Sequence, residues 1–144
     1  MSLRGRDLAV GDIHEQVLTR DLTRTQLVMY AGVSGDFNPM HTDEVYAREV
    51  AGYPGVFAHG MLTMGMTARA LTDWVGDGRL VRYGVRFRSQ VWPGDALTAR
   101  LTVTAVRESD GQDLVDLEVV TVNGDGIEVI SGYATARVDQ DHDG

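Results

Sequence analysis

The chain contains the segment Val33-Ser-Gly-Asp-Phe-Asn-Pro-Met-His41, followed further on by Ala58-His-Gly-Met61. The proline in the first segment lacks an amide hydrogen and restricts the residue before it, so a helix cannot continue through. A carboxylate at Asp36 and an imidazole at His41 are therefore presented from one short loop. The apolar run that begins at Gly60 has helical spacing, so its first amide groups have no partner within the helix. A carboxylate, an imidazole and a positive helix end are the groups needed to add or remove water beside a carbonyl.

Helices are predicted on both sides of this loop. Thr23 and Gln26 form a capping-box pattern ahead of a helix from about Arg24 to Val33. Thr42 is the expected cap of a second, short helix that stops at the next glycine and proline. The run from Gly60 to Val75 is apolar around much of its circumference, which predicts a long and largely buried helix.

The alternation of apolar and polar residues predicts strands in the rest of the chain. The predicted strands lie at Ile13–Thr19, Val81–Phe87, Leu97–Ala105, Leu114–Val122 and Ile127–Val138. Turn residues separate the later strands at Pro93-Gly-Asp95, Asp110-Gly111 and Asn123-Gly-Asp-Gly126. Helices followed by a run of antiparallel strands indicate an α+β fold. We expect one domain over residues 1–138 and a polar C-terminal tail over 139–144.

The composition of the chain excludes several classes of protein function. The 144 residues are 43% hydrophobic and 24% charged, as in ordinary globular domains. No apolar run is long enough for a membrane span, and the N-terminus lacks an apolar signal core, so a cytoplasmic location is expected. The absence of cysteine excludes disulfides and thiol nucleophiles, and the absence of lysine excludes a lysine Schiff base. A net charge of -8 argues against nucleic acid or a membrane surface as a partner.

The pattern Gly-Asp-x-Asn-Pro-x-His ending at His41, together with Ala58-His-Gly-Met61, resembles the signature of the MaoC-like (R)-specific enoyl-thioester hydratases and dehydratases. The similarity extends through Val85-Arg-Phe87 and Pro93-Gly-Asp95. Within the family, the chain is most similar to the catalytic B-type subunit of actinobacterial 3-hydroxyacyl-carrier-protein dehydratases. The resemblance implies a hot-dog fold, in which an antiparallel sheet wraps around one long central helix. It also implies hydration of trans-2-enoyl thioesters, or dehydration of (3R)-hydroxyacyl thioesters, without a cofactor.

The resemblance assigns roles to the motif residues. Asp36 and His41 share one water during syn addition across the double bond, and the amide of Gly60 holds the thioester oxygen as enolate charge develops. Asn38 braces the loop or orients a catalytic side chain. Without the resemblance, Asp36 is an ordinary turn aspartate, His41 a structural histidine and Gly60 a helix-start glycine.

Four further residues have a functional and a structural interpretation. His59 precedes the central helix, where a cap or packing role competes with substrate binding. Met61 lines either the core or an acyl tunnel. Arg86 and Arg88 share a strand face with Arg82, which is either solvated or binds the phosphates of coenzyme A or of a carrier-protein phosphopantetheine.

Three other interpretations compete with that of a hydratase or dehydratase. A thioesterase of the same fold would need a carboxylate on the central helix, but Gly60 is followed by Met61-Leu-Thr-Met64. A metal site of Asp36, His41 and His59 has suitable ligand types and nothing else in its favour, so no metal is expected. A non-catalytic partner subunit would be expected to lack the acid or the imidazole. Exposed sheet edges predict that the chain works as a homodimer, or as a heterodimer with another hot-dog subunit.

Overall fold

The computed structural model describes residues 3–140, which form an antiparallel sheet of five strands with helices packed against it. The strands are β1 (Ile13–Thr19), β2 (Leu80–Phe87), β3 (Leu97–Ser109), β4 (Gln112–Asn123) and β5 (Glu128–Arg137). They lie in the order β1-β3-β4-β5-β2, so β1 and β2 are the outer strands. β3 and β4 are longer than predicted because their pairing continues to the tight turn at Asp110 and Gly111, where φ is positive at both residues.

Two helices of more than two turns complete the fold, α1 (Arg24–Ser34) and α2 (Gly60–Val75). The predicted capping box is present at the start of α1, with Thr23 and Gln26 bonding each other's backbone amides. Three short helical turns accompany them, at Gly5–Asp7, Pro39–His41 and Tyr46–Val50.

The prediction that Thr42 caps the second helix is wrong. Its amide closes the preceding 3-10 turn on the carbonyl of Pro39, at 3.2 Å, and the helical residues that follow begin at Glu44, directly after Asp43. Asp43 is the cap, because its Oδ1 accepts a hydrogen bond from the amide of Tyr46 at 3.1 Å.

α2 packs across one face of the sheet, as the hot-dog arrangement requires. Its buried residues Ala70, Leu71 and Val75 contact inward-facing residues of three strands. Those residues are Ala99, Leu101, Val103, Val115, Leu117, Val119, Ala134 and Ala136. The predicted α+β class, with a sheet wrapped around one long helix, is confirmed.

A second apolar cluster lies beneath the loops that carry the motif. Its members are Leu22, Leu27, Ala47, Val56, Ala58, Val91, Leu97 and Val129. They come from α1, the short helix after His41, the loops and two strands, so this cluster holds the motif loops against the sheet.

α2 is less buried than its composition predicts. Met61, Gly65, Arg69 and Asp73 form an exposed stripe at a spacing of four residues, and Met61 is 56% exposed. Placing Met61 in the core is therefore wrong for this chain. The interior face of α2 instead includes Thr63 and Thr67, which are buried.

Buried polar groups tie α2 to the sheet. The hydroxyls of Thr67 and Thr121, on α2 and β4, lie 2.7 Å apart. The hydroxyl of Tyr83 on β2 donates to the carbonyl of Met64 at 2.8 Å. Burial raises the pKa of Tyr83, so this phenol stays a proton donor. These bonds fix the height and rotation of α2 over the sheet.

None of the helices formed by residues 3–140 has the length and apolar character needed to span a bilayer. Of the expected tail, Asp139 donates its amide to the carbonyl of Leu3 at 2.9 Å, and the Gln140 side chain contacts the carbonyl of Gly111. Residues 141–144 lie outside the described residues.

Substitution of Thr67 by Val tests the buried hydroxyl pair. Thr67→Val leaves the Thr121 hydroxyl without this partner in the core, so the free energy of unfolding should fall by about 1–3 kcal/mol. Replacing both threonines by valine removes both polar groups and should recover part of that loss. Urea unfolding measures the free energy of unfolding of the two single variants and the double variant. A double variant that loses the full sum of the two single losses would contradict this account.

Candidate active site

The acid is carried by the turn that ends α1. Gly35 is the C-cap, with φ of 75° in the left-handed region, and its amide bonds the carbonyl of Ala31 at 3.0 Å. Glycine adopts this conformation without steric cost, so the chain turns sharply here. Asp36 follows with its side chain exposed, and its Oδ1 accepts the amide of Asn38 at 3.2 Å. Residues 3–140 make no hydrogen bond to the second carboxylate oxygen, which is therefore available to a substrate or water.

Asn38 and Pro39 set the position of the imidazole. The Oδ1 of Asn38 caps the 3-10 turn by accepting the amide of Met40 at 3.0 Å. Pro39 occupies the first position of that turn, where a missing amide hydrogen costs nothing. His41 is the last residue of the turn and is only 8% exposed. Of the two roles expected for Asn38, these contacts favour bracing the loop.

The hydrogen bond of His41 defines its tautomer. Its Nδ1 lies 2.7 Å from the carbonyl oxygen of Phe57, in the segment that leads into α2. A carbonyl only accepts, so Nδ1 carries the hydrogen. In the neutral ring, Nε2 then holds a free lone pair. His41 is thus arranged as a base at Nε2.

His59 connects the acid loop to the start of α2. It is 2% exposed, and its ring stacks on His41 with centroids 3.8 Å apart and planes 26° apart. Its Nε2 lies 3.0 Å from the backbone carbonyl of Asp36, so this nitrogen donates. Tyr30 of α1 contacts the same ring edge-on at 4.9 Å. Nδ1 of His59 is buried and has no hydrogen-bond partner among residues 3–140. These contacts place His59 as a loop support behind the pair.

Asp36, His41 and His59 each contribute one ligand-type atom to a group that lies within 4.8 Å. A metal ion must lie near the plane of every imidazole that binds it, about 2.1 Å from the nitrogen. The rings of His41 and His59 are stacked, with centroids 3.8 Å apart and planes at 26°. No single point therefore lies near both ring planes at bonding distance from both rings. The stacking favours a proton-transfer pair over a shared ion.

Gly60 is the first residue of α2, and its amide hydrogen has no acceptor among residues 3–140. A cavity of about 280 Å³ opens beside it, which we call the Gly60 cavity. Its lining includes Phe57, Gly60, Thr63, Phe87, Arg88 and Val129. A methyl group on Gly60 would lie 3.1 Å from the Phe87 ring, which leaves little room for any other residue here. A free amide, the positive end of α2 and a cavity coincide at this point.

The remaining predicted site residues, Arg86, Arg88 and Met61, lie in different places. Arg88 lines the Gly60 cavity and donates from Nε to the Ser131 hydroxyl at 2.7 Å. Arg86 is exposed and lies with Arg88 in a groove on the opposite sheet face, near Glu118 and Glu128. Met61 points away from the core, so its place is on the exposed surface beside the cavity.

Sequence reasoning missed the contribution of Phe57. Its carbonyl sets the His41 tautomer, and its ring contacts His41 edge-on at 5.1 Å. A backbone carbonyl has no side-chain signature, so only the folded chain shows this contact.

Comparison with known proteins places the chain in a family. The MaoC like domain matches residues 8–124, which is most of the chain, and the chain therefore belongs to the MaoC-like family. A mitochondrial 3-hydroxyacyl-[acyl-carrier-protein] dehydratase of Arabidopsis thaliana is 33% identical over 130 residues, covering 90% of this chain and 76% of that protein.

Solved structures agree with this placement. R-hydratase PhaJ1 of Pseudomonas aeruginosa superposes with a TM-score of 0.82 at 27% identity, covering 95% of this chain and 86% of that chain. A Mycobacterium tuberculosis protein with a double hotdog fold superposes with a TM-score of 0.80 at 20% identity. This chain covers 46% of that protein, and the match confirms the hot-dog fold.

The two site histidines should show opposite tautomers. The carbonyls of Phe57 and Asp36 each demand a donor, so His41 should be protonated at Nδ1 and His59 at Nε2. Nitrogen-15 NMR of histidine-labelled protein near pH 8 measures both, with His41→Ala and His59→Ala used to assign the signals. The same tautomer for both rings would contradict the geometry.

Proposed function

We propose that the chain catalyses (R)-specific hydration of trans-2-enoyl thioesters and the reverse dehydration of (3R)-hydroxyacyl thioesters. The observation that carries the proposal is one arrangement: polar atoms of Asp36, His41 and His59 lie within 4.8 Å of one another, and the unpaired amide of Gly60 follows His59 directly, beside a cavity that Phe57 also lines. The hydro-lyase class agrees with the relatives, which are a hydratase and a dehydratase.

In the hydration direction, Asp36 and His41 hold one water molecule between them. The water oxygen bonds to C3 of the enoyl group while the pair accepts one proton from it. The electron pair of the double bond moves toward the thioester carbonyl, and C2 then takes a proton back from the pair. No proton is gained or lost by the protein over the cycle. Water and proton reach C3 and C2 from the same side, because both groups stand on one side of the substrate.

Gly60 stabilises the charge that develops on the thioester oxygen. Its amide hydrogen has no protein acceptor and lies at the positive end of a sixteen-residue helix. A single donor of this kind is typically worth ~10²–10³ in turnover. The adjacent cavity brings the thioester within reach because no side chain stands on Gly60.

A thioesterase activity is disfavoured by the first turn of α2. That turn contains Met61, Leu62 and Thr63, and therefore no carboxylate that could attack or activate water there. The acid lies instead on the loop after α1, opposite His41.

The acyl group is carried by coenzyme A or by an acyl carrier protein. Both carriers bring phosphate to the mouth of the site, and arginine is the long cation available in this chain. Arg88, on the wall of the Gly60 cavity, is the better placed of the two predicted arginines. Arg86 does not line that cavity, and it borders only the outer groove, which both arginines share with Glu118 and Glu128. The cytoplasmic location expected from the sequence stays a prediction.

A second hot-dog unit completes the working enzyme. β2 is an outer strand, and the apolar side chains of Val81 and Phe87 on it are each more than half exposed. Phe87 borders the Gly60 cavity, so whatever covers this edge also closes the site. The chain corresponds to 46% of a double hot-dog protein, which fits one unit of two. The second unit is another copy of this chain, or a different subunit of the kind that the B-type resemblance implies.

Removing either member of the pair should abolish hydration without unfolding the protein. Asp36→Asn and His41→Ala are each expected to lower kcat for crotonyl-CoA by about 10²–10⁴. The double variant should lose little more, because the two groups act on one water. His14→Ala is the matched control, since His14 stacks on Trp74 away from the site. Near-wild-type turnover in either folded single variant would refute the assignment.

Light scattering tests whether the chain assembles with a second hot-dog unit. The purified chain should run at twice its mass of 15.7 kDa, or remain inactive until a partner subunit is added. Phe87→Glu should weaken the assembly and the activity together, whereas Val10→Glu, at a site distant from β2, should change neither. A fully active monomer would exclude both forms of the proposal.

A further inference from the structure

Glu44 joins three parts of the chain just after the catalytic loop. Its Oε2 accepts hydrogen bonds from Nη1 of Arg24 on α1 at 2.5 Å and from the amide of Val56 at 3.3 Å. Its Oε1 lies 3.0 Å from Nη2 of Arg48, an ion pair without hydrogen-bond alignment. The carboxylate is 30% exposed, so it is partly shielded from solvent. We call Glu44, Arg24 and Arg48 the Glu44 clamp.

The clamp holds the segment that leads to α2. Besides the bond from Val56 to Glu44, Nε of Arg48 donates to the carbonyl of Pro54 at 2.9 Å. Gly55 lies between these two contacts, and a Cβ on it would stand 2.6 Å from Oε1 of Glu44. A residue with a side chain at Gly55 would displace the carboxylate, so the close approach depends on glycine.

The held segment carries the carbonyl that defines His41. Phe57 follows Val56 directly, and its carbonyl accepts Nδ1–H of His41. On the other side, the amide of Ala58 bonds the carbonyl of Val91 at 2.8 Å. Glu44 thus anchors the Gly55–Val56 peptide group, the amide of Phe57 lies 3.4 Å from the carbonyl of Met40, and the loop at Val91 anchors the Phe57–Ala58 peptide group.

We propose that Glu44 is a positioning residue for the reaction, acting through Val56 and Phe57 to fix the tautomer and orientation of His41. The inference rests on the proposed function for its kinetic consequence, but the tautomer of His41 is a property of the free protein. Without the clamp the segment before Phe57 is held less firmly, its carbonyl shifts from Nδ1 of His41, and the Nε2–H tautomer then competes with Nδ1–H. A ring protonated at Nε2 cannot accept a proton from water there.

The charge of Glu44 supports this role. The hydrogen bond from Arg24 holds the pKa of Glu44 below its usual range, against the opposing effect of burial. The carboxylate is therefore ionised at neutral pH. Because the folded-state pKa is lowered, the clamp is intact above the ordinary glutamate range and is lost only as the pH falls through that lowered value.

The test compares Glu44→Ala, Glu44→Gln and Gly55→Ala with the wild type. Glu15→Gln is the matched control, because Glu15 forms a 2.7 Å pair with Arg100 on the sheet, away from the site. Nitrogen-15 NMR of the labelled histidines reports the His41 tautomer, and crotonyl-CoA kinetics report kcat and KM. Thermal unfolding identifies the variants that remain folded.

Glu44→Ala should convert His41 from Nδ1–H to a mixture of tautomers and lower kcat by about 10- to 100-fold, with a smaller change in KM. Glu44→Gln retains an acceptor for Val56 and should lose less, while Gly55→Ala should resemble Glu44→Ala. Glu15→Gln should match the wild type in both measurements.

An unchanged His41 tautomer in the folded clamp variants would overturn the proposal, whether or not kcat falls. If Glu44→Ala does not fold, Glu44→Gln and Gly55→Ala decide the question by the same readout. A wild-type protein without hydratase activity would refute the proposed function alone, because the tautomer shift would still test the clamp.

Discussion

The hydrogen bond from Nδ1 of His41 to the carbonyl of Phe57 connects the two halves of the motif. His41 ends the loop that follows α1, and Phe57 lies in the segment that leads into α2. This bond leaves a lone pair at Nε2 and ties the loop that carries the acid to the segment that leads into α2. His59 makes the reverse connection, donating from that segment to the backbone of Asp36. The two bonds together leave the loops little freedom relative to each other.

The sheet and α2 supply the platform for these bonds. Leu71 and Val75 bury the far half of the helix against the sheet, while the Thr67–Thr121 pair fixes its rotation. The near half is less buried, and there the chain exposes the amide of Gly60. Core packing is thus concentrated at one end of α2 and the proposed chemistry at the other, which is a common division in enzymes built on a rigid scaffold.

Local signals in the sequence were sufficient to predict most of the helices and strands. Alternation located all five strands to within a few residues, except where pairing extended β3 to its hairpin turn, and the Thr23–Gln26 box located α1. Two expectations failed for identifiable reasons. Thr42 is not the cap because the 3-10 turn through His41 moves the helix start to the residue after Asp43, and Met61 lies on an exposed stripe that composition alone does not orient.

The site was predictable only in part. Asp36 and His41 come from one motif and His59 and Gly60 from the next, and the fold does bring Asp36, His41 and His59 within 4.8 Å of one another, with Gly60 directly after His59. The Phe57 carbonyl and the Glu44 clamp were not predictable, since both depend on contacts across the fold that involve backbone groups. The difference between Arg86 and Arg88 arises in the same way, because only Arg88 lies on the wall of the Gly60 cavity once the chain is folded.

The stereochemical course of hydration tests the central claim, that Asp36 and His41 act together on one water from one side of the substrate. Crotonyl-CoA is converted in heavy water, and proton NMR and chiral analysis of the 3-hydroxybutyryl product give the configurations at C2 and C3. The account predicts a single (3R) product in which the C2 deuterium and the C3 oxygen were added to the same face. Addition to opposite faces, a mixture of diastereomers or a mainly (3S) product would contradict it.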